Sequence, residues 1–183
     1  MLKKVQVLCR TAIMVAMFVL LNMVAIKAGN LRITFASLPV VVTALLFGPG
    51  QAALVGLCGE FINQMLGYGF TATTPIWILP PAVRGVIIGF AALAFAKTGK
   101  SLDKRPIACY AVCIAAAVIT TFCNTVGIWI DSVIYGYYTF AYVFGDAVIR
   151  FITGMVTAVV ITTVAVPLIH LLRRSGMVRD SRW

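Results

Sequence analysis

Six ionisable side chains stand inside or beside long apolar stretches of this chain: Arg32, Glu60, Arg84, Asp131, Asp146 and Arg150. A charge in apolar surroundings is costly, so such residues either pair with one another or face a polar cavity. Both chemistries are open to them. Glu60 can neutralise an arginine, and Asp146 and Arg150, four residues apart, can pair on one helix face. Alternatively, arginines can hold an anionic or polar solute through bidentate hydrogen bonds. Asn63, Gln64 and Asn124 would then complete its hydrogen bonding, and Tyr68, Trp77 and Tyr135 would offer aromatic faces. The pattern of a catalyst is missing. The single histidine, His170, falls at the far end of the last apolar run, where it suits compensation of a helix dipole. There is no HExxH, GxSxG, Walker loop or Asp-rich metal cluster. Cys9, Cys58, Cys109, Cys113 and Cys123 lie in apolar runs without metal-ligand spacing and read as small packing residues. The expectation is a binding protein with no catalytic residue, no metal and no cofactor.

The elements that must position these residues follow from composition. Of 183 residues, 62% are hydrophobic and 11% charged, against roughly 25% charged in a soluble domain. That excludes a water-facing basic surface, and with it a nucleic-acid partner, despite a formal charge of +10. Interruptions of the apolar sequence predict six spans, at 9–26, 34–47, 51–66, 80–97, 106–130 and 140–172. The first run lacks a small-x-small cleavage site and reads as a span rather than a leader. The second and third are short and joined by Phe47-Gly48-Pro49-Gly50, a tight turn by composition. Pro80-Pro81 suits the first turn of the fourth. The sixth run is too long for a bilayer alone, and Pro167 marks its end or a kink. The predicted fold class is all-α, an integral membrane bundle of six transmembrane helices forming one domain over residues 1–183.

Orientation follows from the basic residues. Lys3, Lys4 and Arg10 precede the first span, Lys97, Lys100, Lys104 and Arg105 join the fourth to the fifth, and Arg173, Arg174, Arg179 and Arg182 follow the sixth. Six crossings put all three groups on one side, and positive flanks belong to the cytoplasm, so both termini are expected there. The connections at 27–33, 67–79 and 131–139 then face outward. Their Asn30, Tyr68, Phe70, Trp77, Tyr135, Tyr137 and Tyr138 would anchor the chain at the interface or lid a site. Arg32, Arg84, Asn124 and Asp131 fall toward the outer side and Glu60 near mid-depth. Polarity at one depth only disfavours a channel or a self-contained secondary transporter, and no inverted repeat is evident. What remains is a solute site open to one side. Small-residue ridges occur at Ala12/Ala16, Gly85/Gly89, Ala92/Ala96 and Gly154/Ala158, each permitting close helix approach in lipid.

These features together resemble the substrate-binding S components of energy-coupling-factor (ECF) vitamin transporters, and more closely the folate-family branch. The residues carrying the resemblance are Leu31-Arg32-Ile33-Thr34-Phe35, Leu38-Pro39, Leu46-Phe47-Gly48-Pro49, an acidic residue in the third helix at Glu60, and Arg84-Gly85, in that order over about 55 residues. The sequence departs from the branch at Gly59-Glu60-Phe61, where Ala-Asp-Leu would be nearer. The resemblance implies capture of a folate-like vitamin at the outer face of a prokaryotic cell membrane. It also implies association with a transmembrane coupling subunit and two ABC-type ATPases. On this resemblance Ala12 and Ala16 match the contact motif for the coupling subunit, and Arg32 and Arg84 are the foremost ligand contacts. Pantothenate, a pyridoxine-like compound or a queuosine precursor would also suit a polar outer cavity. A scaffold of cell-envelope assembly is the alternative from another class.

Overall fold

Apolar runs of this length satisfy their backbone groups internally as helices, the form a membrane demands of a single segment. In the computed structural model the described residues are 2–28, 31–99 and 101–174, with side chains placed for 5–25, 34–99 and 101–174. Lys100, Arg179, Arg182 and Asn30 lie outside the described residues. So do the side chains of Lys3, Lys4 and Arg32.

The chain runs α1 (Leu2–Met23), β1 (Ile26–Ala28), β2 (Leu31–Ile33), α2 (Ser37–Phe47), α3 (Pro49–Gly67), α4 (Thr74–Trp77) and α5 (Leu79–Lys97). A 3-10 turn (Leu102–Lys104), α6 (Pro106–Ile134), α7 (Phe140–Phe144) and α8 (Ala147–Arg174) follow. The six long helices correspond to the six expected spans. Four segments, Val5–Met23, Thr74–Lys97, Pro106–Ile134 and Phe140–Arg174, are long and apolar enough to cross a membrane. The other two helices differ for physical reasons. At 1.5 Å per residue, the 11 residues of α2 reach only about 16 Å. They are apolar all round because the helix sits in the middle of the bundle: every residue from Pro39 to Phe47 is buried. α3 carries Glu60, Asn63 and Gln64 in its second half, which lowers its hydropathy.

Three boundaries depart from the sequence expectation. The connection at 27–33 is not plain loop: β1 and β2 pair antiparallel, Lys27 opposite Arg32. The sixth run is not one helix, because the chain breaks at Gly145 and Asp146 between α7 and α8. A Cβ on Gly145 would lie 2.4 Å from the Ala141 carbonyl oxygen, so this close turn needs glycine. Finally, of the two roles expected for Pro167, it does not end α8, for the helix runs through it to Arg174. The expected turn at Gly48 is present. Its φ of +88° favours glycine, and Pro49 opens α3 directly after it.

Lipid offers no hydrophobic drive between helices, so close packing must hold them. α3 and α5 make the most extensive pairing, and glycine makes it possible. A Cβ on Gly56 would stand 2.7 Å from the Pro81 carbonyl carbon, one on Gly85 2.8 Å from that of Ala52, and one on Gly89 2.4 Å from Pro49 Cα. The Gly85/Gly89 ridge of the sequence is therefore a backbone-to-backbone seam. At the end bearing Arg10, Lys97 and Arg105, Val42, Leu45, Leu46, Ile88, Cys109, Cys113, Ile161 and Ile169 form the main core. Leu102 is buried there too, and Asp103 beside it receives Arg173 Nη1 at 2.7 Å, with His170 Nε2 at 3.5 Å. The α5–α6 connection is thus tied to the end of α8. Hydroxyls inside α6 and α8 close onto their own helices: Thr120 donates to Ala116 O at 2.6 Å and Thr162 to Ala158 O at 2.7 Å. This back-bonding lets threonine sit in apolar surroundings without an orphan donor.

Candidate functional site

A cavity of about 690 Å³ opens at the opposite end of the bundle from Arg10, Arg105 and Arg173, within the range of roughly 300–1,000 Å³ usual for small-molecule sites. All six long helices contribute. α1 supplies Phe18 and Asn22, α2 Ser37 and Val40, α3 Glu60 and Gln64, and α5 Pro80, Pro81 and Arg84. α6 gives Thr120, Thr121, Asn124, Ile128 and Asp131, and α8 Arg150, Thr153, Gly154 and Thr157. On α6 and α8 these positions recur at three- and four-residue spacing, so each helix turns one polar stripe inward. The short helices α4 and α7 add Trp77 and Tyr142, and the connections add Thr34, Tyr68, Thr71, Thr73, Tyr135 and Tyr137.

Charge is distributed around the wall in separate settings. Glu60 gathers amides: its Oε1 accepts from Asn63 Nδ2 at 3.0 Å and Gln64 Nε2 at 2.8 Å, and its Oε2 from Asn22 Nδ2 at 3.5 Å. Arg84 bridges two helices, with Nη1 donating to Ser37 Oγ on α2 and Nε to Thr120 Oγ1 on α6 at 3.4 Å. Arg150 donates from Nη2 to the Val143 carbonyl at the end of α7, and its Nε is buried with no hydrogen-bond partner. Asp131, in the last turn of α6, draws the outer connections together. It accepts from Thr73 Oγ1, from Trp77 Nε1 at 3.4 Å and from the Tyr137 hydroxyl. Thr71 and Thr74 reinforce that turn, Thr74 Oγ1 accepting from Thr71 N at 2.9 Å. The Tyr137 phenol is pushed well above its ordinary pKa, first by loss of hydration and then by its hydrogen bond to Asp131. Tyr142 meets Tyr137 edge-on, the ring centroids 5.4 Å apart.

Eight of the eleven residues expected to bind solute line this one cavity: Glu60, Tyr68, Trp77, Arg84, Asn124, Asp131, Tyr135 and Arg150. Asn63 is buried behind the wall, holding Glu60. Asp146 precedes α8 and is not part of the lining, while β2, which carries Arg32, packs against α8. The sequence reading passed over Asn22, Thr71, Thr73, Thr120, Thr121, Tyr142, Thr153 and Thr157. For the threonines a signal existed in the repeated spacing on α6 and α8, which a search for charges does not register. Ala12 and Ala16 are both exposed on α1. Among the described residues no group of His, Cys, Asp and Glu has the geometry to hold a metal ion.

The fold is shared with known proteins. ThiT from Listeria monocytogenes superposes with a TM-score of 0.69 at 20% identity, covering 94% of this chain and 97% of that one. An S component for biotin from an ECF-type ABC transporter gives 0.57 at 15% identity, over 88% and 92%. The S component of a bacterial ECF transporter gives 0.53 at 17%, over 95% and 96%. In sequence, a UPF0397 protein from Leuconostoc citreum (strain KM20) is 37% identical over 75 residues. That stretch is 40% of this chain, and the chain spans only 39% of that curated relative's length. The family model described as ECF-type riboflavin transporter, S component, matches residues 3–174. With nearly its whole length matched, the chain belongs to this family of S components, which are multi-pass plasma-membrane transport subunits and not enzymes.

Proposed function

We propose that the whole chain acts as one membrane-embedded, high-affinity vitamin-binding unit of an ECF-type ABC importer, and that its ligand is folate or a reduced folate. The observation that carries this reading is the cavity itself: one chamber at the end away from Arg10, Arg105 and Arg173, with two guanidiniums, two carboxylates, three side-chain amides and several aromatic rings in its wall. A pterin offers a face for stacking on Trp77 or Tyr135 and an edge for hydrogen bonds with Glu60, Asn124 or Asp131. A dianionic glutamate tail suits Arg84, Arg150 and Arg32. The partners are a transmembrane coupling subunit, meeting α1 at the exposed Ala12 and Ala16, and two ABC ATPases. A scaffold of cell-envelope assembly is not favoured by a family of transport subunits and has no need of such a chamber.

Riboflavin is the second reading, favoured by the description of the family model. Its ring would stack as a pterin does, but a neutral molecule makes no use of two arginines. Equilibrium titration of tryptophan fluorescence in detergent separates the readings, since Trp77 lines the cavity. Folate is expected to quench at nanomolar concentration and riboflavin to do so weakly. Tight riboflavin binding with none of folate would replace the first reading with the second.

A further inference from the structure

We infer that Arg150 selects for a ligand bearing a carboxylate and is the group that holds it. This rests on the vitamin-binding reading above and names the ligand class within it. Three features of the position converge. Arg150 stands in the first turn of α8, where the helix dipole opposes a cation; the carboxylate nearest in sequence, Asp146, lies just outside the helix, where its backbone carbonyl accepts from Arg150 N, and its side chain makes no ion pair with the guanidinium. Among the described residues no carboxylate forms an ion pair with it, whereas Arg173, at the other end of the same helix, is paired with Asp103. Its five N–H donors meet one protein acceptor, the Val143 carbonyl, and the buried Nε meets none.

A cation placed against a dipole, within a membrane-spanning helix and short of acceptors, is unfavourable in the empty protein. A carboxylate entering the cavity supplies both the missing charge and the missing acceptors. Arg84 differs in kind. Hydroxyls of α2 and α6 hold two of its nitrogens, so it has a positioning role between helices whether or not ligand is present. The Asp131 oxygens are already taken up by Thr73, Trp77 and Tyr137, so that carboxylate is committed to the outer connections rather than to Arg150.

The test compares folic acid with 6-hydroxymethylpterin, which has the same ring system and no carboxylate, by fluorescence titration of the wild type, Arg150→Gln and Arg150→Lys. Pantothenate, another carboxylate, and riboflavin, which is neutral, are titrated beside them. Arg150→Gln is expected to weaken the carboxylate ligand at least tenfold and to change hydroxymethylpterin binding by less than twofold. Arg150→Lys, which keeps the charge, recovers part of the loss. If Arg150→Gln is not recovered folded, the same comparison on Arg150→Lys replaces it, the carboxylate ligand alone being expected to weaken. Equal weakening of both compounds, or of neither, overturns the role of Arg150 and leaves the vitamin-binding reading standing. A wild type that binds riboflavin tightly and neither carboxylate overturns the ligand class. Absence of binding to all four defeats both inferences.

Discussion

Arg84 shows how much one side chain does in this wall. It is a cation in the cavity, and through Ser37 and Thr120 it also ties α5 to α2 and α6. Arg84→Ala is therefore expected to do two things: weaken ligand binding by more than tenfold, over about 1.4 kcal/mol, and lower the melting temperature of the ligand-free protein. Fluorescence titration and a thermal melt in detergent check the two effects. A loss of affinity without any change in melting would mean that the hydrogen bonds to Ser37 and Thr120 hold nothing together. At this scale the charged members of the site were legible because a charge in an apolar run is conspicuous. The threonines were not, since a hydroxyl that bonds its own helix costs little in any apolar segment and so gives no sign of which way it faces. Asn63 was legible as polar but not as a residue behind the wall, because its partner Glu60 lies only one helical turn away on the same helix.

Among the elements, the seam between α3 and α5 depends on the absence of side chains. Gly85→Val places bulk where a Cβ alone would be 2.8 Å from the Ala52 backbone. Overpacking of this kind costs about 1–3 kcal/mol, and the affected helices carry Glu60 and Arg84. The expected outcome is a clearly lowered melting temperature together with weaker ligand binding. Gly50→Ala, where nothing lies within 4 Å of the added Cβ, is the control and should leave both unchanged. The six long helices were readable from apolar run length and the Gly48-Pro49 turn from its residue types. The break at Gly145-Asp146 was not, because a single Gly-Asp pair inside a long apolar run is a weak turn signal. The β1–β2 hairpin was missed for a related reason: three-residue strands are too short to establish an alternation.

The whole molecule is polarised. Its basic end is an apolar core closed by the Asp103–Arg173 pair, and its other end is a polar chamber with aromatic and threonine-rich connections around the opening. Between them α1 leaves Ala12 and Ala16 uncovered, with Leu8, Ile13 and Leu20 exposed beside them. Ala12→Trp is accordingly expected to abolish vitamin uptake and co-purification with the coupling subunit while ligand affinity stays within twofold. Loss of affinity instead would make the position internal to the binding unit. What the chamber holds is tested by mass spectrometry of the small molecules that accompany the protein through purification from cells grown in vitamin-replete medium. A folate carried at close to one molecule per protein, and released on denaturation, is the expected result. Purified protein that carries no vitamin, and whose melting temperature no added vitamin raises, would mean that the chamber is not a vitamin site.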